Sequence, residues 1–458
     1  MSRLLIAATA LSVSIGASRA QAQAVFPDDS AISAILRDRV SAGWAPGIVI
    51  GIIRPDGSTQ VFAEGRNDNG KPLDDRSVFE IGSITKTFTG TLLAEMVGRG
   101  ETRLDEPVAA LLPAGTRVPE RNGKAITLVD LATQSSGLPR LPGNMISDNP
   151  SNPYASYTDS MLYSFLGGYT LTRDIGSQYE YSNLGVGLLG NALARRKKTS
   201  YEDLIRERVL TPLGMTDTRI TLTAGLTSRV AQGHDSEGGP VGLWDLPALA
   251  GAGGLRSTAH DMLLYLAANI RSRPENTLGM AMLTARDPRR QAGSPIMMIG
   301  LGWHIVTRHG LSIVWHNGGT GGYRSFAGFD PVRKIGVVLL TNSSNDSDDI
   351  GFHLMDSLVP LVASRSTQPI VLPDTVLAQY AGEYTLAPDF SIAVTREGDK
   401  IFGQATGQGR FQLYPRDTRE FYVRVVDARV VFLRNDAGTV TGLMLYQNGK
   451  EIPGRKTK

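Results

Sequence analysis

The chain contains no cysteine, which removes disulfides, thiolate metal sites and a cysteine nucleophile together. It has no G-x-S-x-G elbow, Walker loop or H-E-x-x-H pair, so the common hydrolase, nucleotide and zinc-protease signatures are missing. His234-Asp235 and His260-Asp261 lack the spaced partners that a zinc site needs. Asn345-Asp346-Ser347-Asp348-Asp349 reads better as acidic residues capping a helix than as a Ca²⁺ loop. No cofactor or metal is expected. There is no internal repeat or low-complexity tract, and the basic run Arg195-Arg196-Lys197-Lys198 reads as a solvated helix end. No nucleic-acid partner is expected from it.

What is present describes an ordinary globular protein: 458 residues, 41% hydrophobic, 20% charged, with 51 glycines. That length predicts two or three domains. Residues 1–24 read as a signal peptide, with Arg3 as the positive start, Leu4 to Ala17 as the apolar run, and a small-residue cleavage site at Ala20-Gln21-Ala22 or Ala22-Gln23-Ala24. The run of 14 residues falls short of the roughly 20 that span a bilayer. The mature protein is therefore expected to be exported, periplasmic or secreted, without a transmembrane anchor. Loss of Arg3 and Arg19 with the leader brings the formal charge from +3 to +1.

Apolar residues at Ile32, Ile35, Leu36 and Val40 predict an amphipathic helix over 30–40. Two strands follow, Ile48 to Arg54 and Thr59 to Glu64, joined by the turn Pro55-Asp56-Gly57. Ser83 to Val97 reads as a helix stopped by Gly98 and Gly100. From Glu101 to about Pro295 the chain is densely punctuated, with helical patches at Leu128 to Thr133, Leu184 to Arg195, Tyr201 to Val209 and Ala259 to Ile270. Strand patterns return at Leu311 to His316, Tyr323 to Phe329 and Lys334 to Thr341, before a helical segment from Asp346 to Val359. The expected fold class is α/β (α+β), an antiparallel sheet built from both ends of residues 25–360 with a helical insert. A linker at 361–374 leads to seven short strand-like segments between Tyr380 and Tyr446, punctuated by turns such as Glu397-Gly398-Asp399 and Asn448-Gly449. They predict a small all-β barrel over 375–458.

Three stretches have the composition of an acyl-transfer site. In Glu80-Ile81-Gly82-Ser83-Ile84-Thr85-Lys86, the i, i+3 spacing sets an amine over the same helix face as a hydroxyl, so a neutral Lys86 can take the Ser83 proton. Tyr181-Ser182-Asn183 precedes a helical run, where phenol and amide can project into a cleft. His316-Asn317-Gly318-Gly319 closes a strand, and its glycines let backbone approach a substrate. Singly, each has a plainer reading: Ser83 or Asn183 as a helix cap, Tyr181 as a core aromatic, His316 as a strand-end histidine bonded to backbone.

As an ordered set, S-x-x-K, Y-x-N and H-x-G, they resemble the class C β-lactamase and serine DD-peptidase family. Leu104-Asp105-Glu106-Pro107-Val108, Ser136-Gly137-Leu138-Pro139, Pro212-Leu213-Gly214-Met215 and Gly253-Gly254-Leu255-Arg256-Ser257 extend the resemblance over about residues 28–360. The C-terminal region resembles the lipocalin-like barrel of some family members. The resemblance implies that Ser83 attacks an amide or ester carbonyl, Lys86 takes its proton, and Tyr181 relays a proton to the leaving group. Asn183 would hold the acyl side-chain amide, and the N–H groups of Ser83 and Gly319 would form the oxyanion hole. His316 and Gly318 belong to the substrate-binding strand. The implied substrate is a β-lactam or a D-amino-acid peptide of peptidoglycan type. A carboxylesterase on the same fold and a penicillin sensor without turnover are the alternatives, the former if Trp315 takes the third-motif position by a shifted register. Two departures stand out: Gln134 where the family often has histidine, and His316 in place of lysine. His316, with an ordinary pKa near ~6.5, is expected to face a substrate carboxylate and to lose charge as pH rises. The oligomeric state is not legible.

Overall fold

The computed structural model describes residues 25–458 apart from 68, 69, 148, 150, 237, 363–368, 389, 407–409, 424–427 and 448–449. The leader at 1–24, the centre of the linker and the turn at 448–449 lie outside the described residues.

The first helix, α1 (Asp29–Ser41), is capped by the Asp28 carboxylate, which accepts the Ala31 N–H at 2.8 Å. Its buried Ile32 and Leu36 face the sheet. Strands β1 (Gly47–Ile53) and β2 (Thr59–Gly65) form the expected hairpin. Every residue of β1 is buried because both faces are covered. Val49 and Ile53 enter the core under the helical insert, whereas Ile48, Ile50 and Ile52 enter a second core under α1. Helix α2 (Thr85–Gly98) crosses the interior with 12 buried residues, and its Phe88 ring stacks on Tyr265 at 3.9 Å between centroids. Helices α3 (Asn183–Arg196), α4 (Ala259–Ile270) and α5 (Thr277–Arg286) complete the scaffold that α2 needs.

The chain returns to the sheet through β3 (Arg290–Gln291), β4 (Met297–Ile299), β5 (His304–Arg308), β6 (Leu311–Gly319), β7 (Arg324–Asp330) and β8 (Ile335–Thr341). The order is β2-β1-β8-β7-β6-β5-β4-β3, antiparallel throughout. The two ends of the region thus meet in one sheet, as expected. The sheet resumes earlier than Leu311, because β3 to β5 are short and broken by Gly300 and Gly302, which hides their alternation. Helix α6 (Asp348–Met355) then lies on the α1 face, tied by an Arg39–Asp349 ion pair.

Eight further strands, β9 (Gly382–Ala387), β10 (Phe390–Glu397), β11 (Lys400–Ala405), β12 (Arg410–Pro415), β13 (Glu420–Val423), β14 (Ala428–Arg434), β15 (Val440–Gln447) and β16 (Lys450–Lys456), close into an antiparallel barrel in sequence order. The sequence reading found seven; β16 contains Pro453 and Gly454, which weaken a strand signal. It is the closing strand, pairing Tyr384 with Lys456. Tyr380, Tyr384, Phe421 and Phe432 fill the interior, and the barrel's buried residues form a core of their own. Among the described residues, no helix is long and apolar enough to cross a membrane.

Candidate active site

Ser83 sits in a 3₁₀ turn, Gly82–Ile84, between the short strand Phe79–Glu80 and α2. Gly82 has φ of 47°, and a Cβ there would lie 2.8 Å from the Gly319 nitrogen. The turn can therefore touch the end of β6 only through glycine. One turn on, Lys86 is fully buried, with Nζ 2.9 Å from Ser83 Oγ and 2.6 Å from the Ala252 carbonyl. Burial, and then the nearby Arg140 guanidinium, push its amine well below the usual lysine value. The Ala252 carbonyl can only accept, so a Lys86 N–H points there, and in its neutral form the amine also carries a lone pair that can take the Ser83 proton.

The Tyr181 ring covers this pair. Lys86 Nζ is 4.9 Å from its centroid on one side, and Arg140 Cζ is 5.1 Å from it. Its hydroxyl lies beside Ser83, and burial raises the phenol above its ordinary value, keeping the proton on oxygen. The loop carrying Tyr181 is held by Gln134, one of the two departures seen in the sequence. The Gln134 carbonyl accepts the Glu180 N–H at 2.7 Å, and its side-chain oxygen accepts the Ser182 N–H at 2.7 Å. Gln134 reaches both through a left-handed backbone, φ 56°. The cap of α3 is Ser182, whose hydroxyl accepts the Gly185 N–H at 2.8 Å, and not Asn183. Asn183 is left to meet the Tyr154 hydroxyl, with its amide oxygen buried and unpaired.

Strand β6 supplies the facing wall. His316 is buried, its ring 6.2 Å from Tyr181 and 5.0 Å from His304. Its Nδ1 donates to the Asn317 carbonyl at 2.5 Å, since a carbonyl only accepts. His304, opposite Trp315 on β5, is bonded through Nε2 to Tyr179 Oη at 3.0 Å. Burial pushes the His304 imidazole down to about 4. Burial, then His304, then Lys86 push His316 well below its ordinary value. The expectation that His316 loses charge near its reference pKa is thus corrected: sealed beside a second histidine and an amine, its neutral form is favoured to well below the ordinary histidine value. Trp315 points to the opposite face, against Phe352 at 4.7 Å. The shifted register that would favour an esterase does not occur.

Gly318 packs on the Ile81 carbonyl so closely that no Cβ fits. Thr320 N–H donates to the Tyr323 carbonyl at 3.1 Å, so by antiparallel alternation the next pair, Gly319 with Arg324, has its N–H groups turned outward. On that outward side β5 has already ended, at the His304–Trp315 pair. The Gly319 N–H therefore faces the cleft beside the Ser83 turn. Ser83, Lys86, Tyr181, His316, Gly318 and Gly319 converge, and Asn183 stands two residues beyond Tyr181 at the start of α3. Sequence reasoning missed His304, Tyr179 and Arg140, which belong to no motif and arrive through register or loop packing. Among the described residues no cluster of three or more His, Asp or Glu is arranged to hold a metal.

Residues 32–358 match the model of a family described as beta-lactamase, and residues 368–456 match a family described as a domain of unknown function. The chain is 31% identical over 352 residues to the D-alanyl-D-alanine-carboxypeptidase/endopeptidase AmpH of Escherichia coli (strain K12), covering 72% of this chain and 87% of that one. It is 26% identical over 352 residues to a beta-lactamase of Pseudomonas fluorescens, covering 69% and 92%. A beta-lactamase of Escherichia coli (strain K12) is 28% identical over 334 residues, covering 65% and 84%.

Proposed function

Because the chain belongs to the β-lactamase family of serine hydrolases, we propose that it cleaves D-amino-acid peptide or β-lactam amide bonds through an acyl-Ser83 intermediate. The observation that carries this reading is the buried amine of Lys86, 2.9 Å from Ser83 Oγ beneath the Tyr181 ring. In the first step Ser83 Oγ bonds to the substrate carbonyl carbon while its proton passes to Lys86 Nζ. The oxyanion is met by the Ser83 and Gly319 N–H groups, donors of a kind worth ~3–4 kcal/mol each in the transition state. The C–N bond then breaks, and the leaving nitrogen takes a proton through the Tyr181 hydroxyl. Water attacks the ester carbonyl, hands a proton to the same relay, and frees Ser83. Asn183 and the β6 edge orient the acyl group, with neutral His316 acting as a packed hydrogen-bonding wall rather than as a cation.

The leader-like residues 1–24 support export to the compartment where peptidoglycan-type substrates lie. Purified residues 25–458, given nitrocefin, a D-alanyl-D-alanine peptide and p-nitrophenyl butyrate, test the reading. We expect turnover of the first or second, and an acyl adduct on Ser83 that is absent in Ser83→Ala. Full labelling of Ser83→Ala by a fluorescent penicillin, mapped to Ser135 or Ser136, refutes it. Turnover of the ester alone points to a carboxylesterase, and a stoichiometric burst without turnover to a sensor.

A further inference from the structure

The cleft end of β6 carries charged groups that acyl transfer does not use. Alternation along the strand sends His316 toward Lys86 and Asn317 to the opposite face, where its amide donates to the carboxylate of Asp348 in α6. Asp348 is not engaged in capping its helix: Ser347 stands at the cap position, and the Asp348 N–H goes to Asp346 at 3.0 Å. Arg324, opposite Gly319 on β7, lies along the same edge. Its Nη1 donates to the Thr320 and Tyr323 carbonyls at 3.2 Å each, and would stand 2.7 Å from a Cβ on Gly319. Asp346 and Asp348 lie close enough to this guanidinium for their charge to oppose the burial that lowers its pKa. The remaining neighbour, Asp349, is engaged by Arg39 of α1 and by the Val362 N–H. One cation thus feels two carboxylates beside the strand end that carries the Gly319 N–H.

We propose that Asp348 is a specificity-determining residue for that end of the substrate: held by Asn317, its carboxylate takes the place near Arg324 that a substrate carboxylate would otherwise occupy. Charged Asp348 disfavours anionic substrates and protonated Asp348 admits them. This rests on the acyl-Ser83 reading. Burial first, then Asp346, raise the Asp348 carboxyl to about 7, against the pull of Asn317 and Arg324. The exchange therefore falls within the neutral range, with anionic substrates favoured on its acid side.

The test compares a D-alanyl-D-alanine peptide with the same peptide as its C-terminal amide. The ratio of kcat/KM, acid over amide, is expected to fall about tenfold between pH 5.5 and 8.5, as for a unit charge approaching another at partly screened range. In Asp348→Asn the ratio should be flat and higher at pH 8, with amide turnover within about twofold of the parent. A ratio flat in the parent, or falling equally in Asp348→Asn, overturns the proposal. The Kd values of both peptides for Ser83→Ala, measured by calorimetry over the same pH range, separate the two readings. If neither peptide is turned over, acyl transfer fails by itself, while a Kd ratio that follows pH still supports the role of Asp348. A Kd ratio that ignores pH, or no binding of either peptide, overturns it.

Discussion

The side-chain oxygen of Gln134 accepts the Ser182 N–H at 2.7 Å, while the Gln134 carbonyl accepts the Glu180 N–H at 2.7 Å. Tyr181 lies between those two anchors, so its ring is placed over Lys86 by a residue 47 positions earlier in the chain. Leaving a buried N–H without its partner costs about 1–3 kcal/mol. Gln134→Met should therefore lower the acylation rate about tenfold or more with little change in KM. Gln134→Glu, which keeps an acceptor oxygen, should recover most of it. Stopped-flow acylation with a chromogenic cephalosporin measures both, and equal rates in parent and Gln134→Met would show that the anchor is dispensable.

Burial favours the neutral form of Lys86, so its folded-state pKa lies below its unfolded one. The unfolded chain then binds the extra proton, and the term adds stability as pH rises through the depressed pKa toward the unfolded lysine value, and removes it on acidification. Lys86→Met should melt at the same or a higher temperature than the parent, with the larger gain at acid pH. Its acylation rate should fall at least ~10²-fold through loss of the general base. Scanning calorimetry at pH 5 and 8 checks the first, and ester turnover the second.

His316 should not titrate between pH 5.5 and 8. Carbon and nitrogen chemical shifts of labelled histidine, assigned by comparison with His316→Gln, should show one neutral ring protonated at Nδ1 throughout. A midpoint near 6.5 for this ring would mean that water or a counter-charge reaches it.

The barrel has its own buried core of Tyr380, Tyr384, Phe421 and Phe432, distinct from the two cores that share the large sheet. A chain ending near Pro369 should keep a cooperative melt and acyl-Ser83 formation. Insolubility, or a broad non-cooperative transition, would mean that the two units stabilise each other.

Features resting on neighbours in the chain were settled by sequence alone. The i, i+3 pairing of Ser83 with Lys86, the all-apolar β1 and the alternating strands of the barrel follow from helix and strand periods that any local window displays. The ordered motifs singled out Ser83, Lys86, Tyr181, Asn183, His316 and Gly319 as one candidate set. Only the tertiary structure decided what surrounds them. His304 meets His316 because β5 begins at the His304–Trp315 pair, one residue short of His316 on β6, and that juxtaposition, with burial, removes the charge a free histidine would carry. Gln134 reaches Ser182, and Asp348 reaches Asn317, across 48 and 31 positions. β16 is a strand because the barrel's two edges need a partner to satisfy their N–H and C=O groups. Each of these depends on the field and the hydrogen-bonding demand of distant segments, and neither quantity exists until the chain has folded.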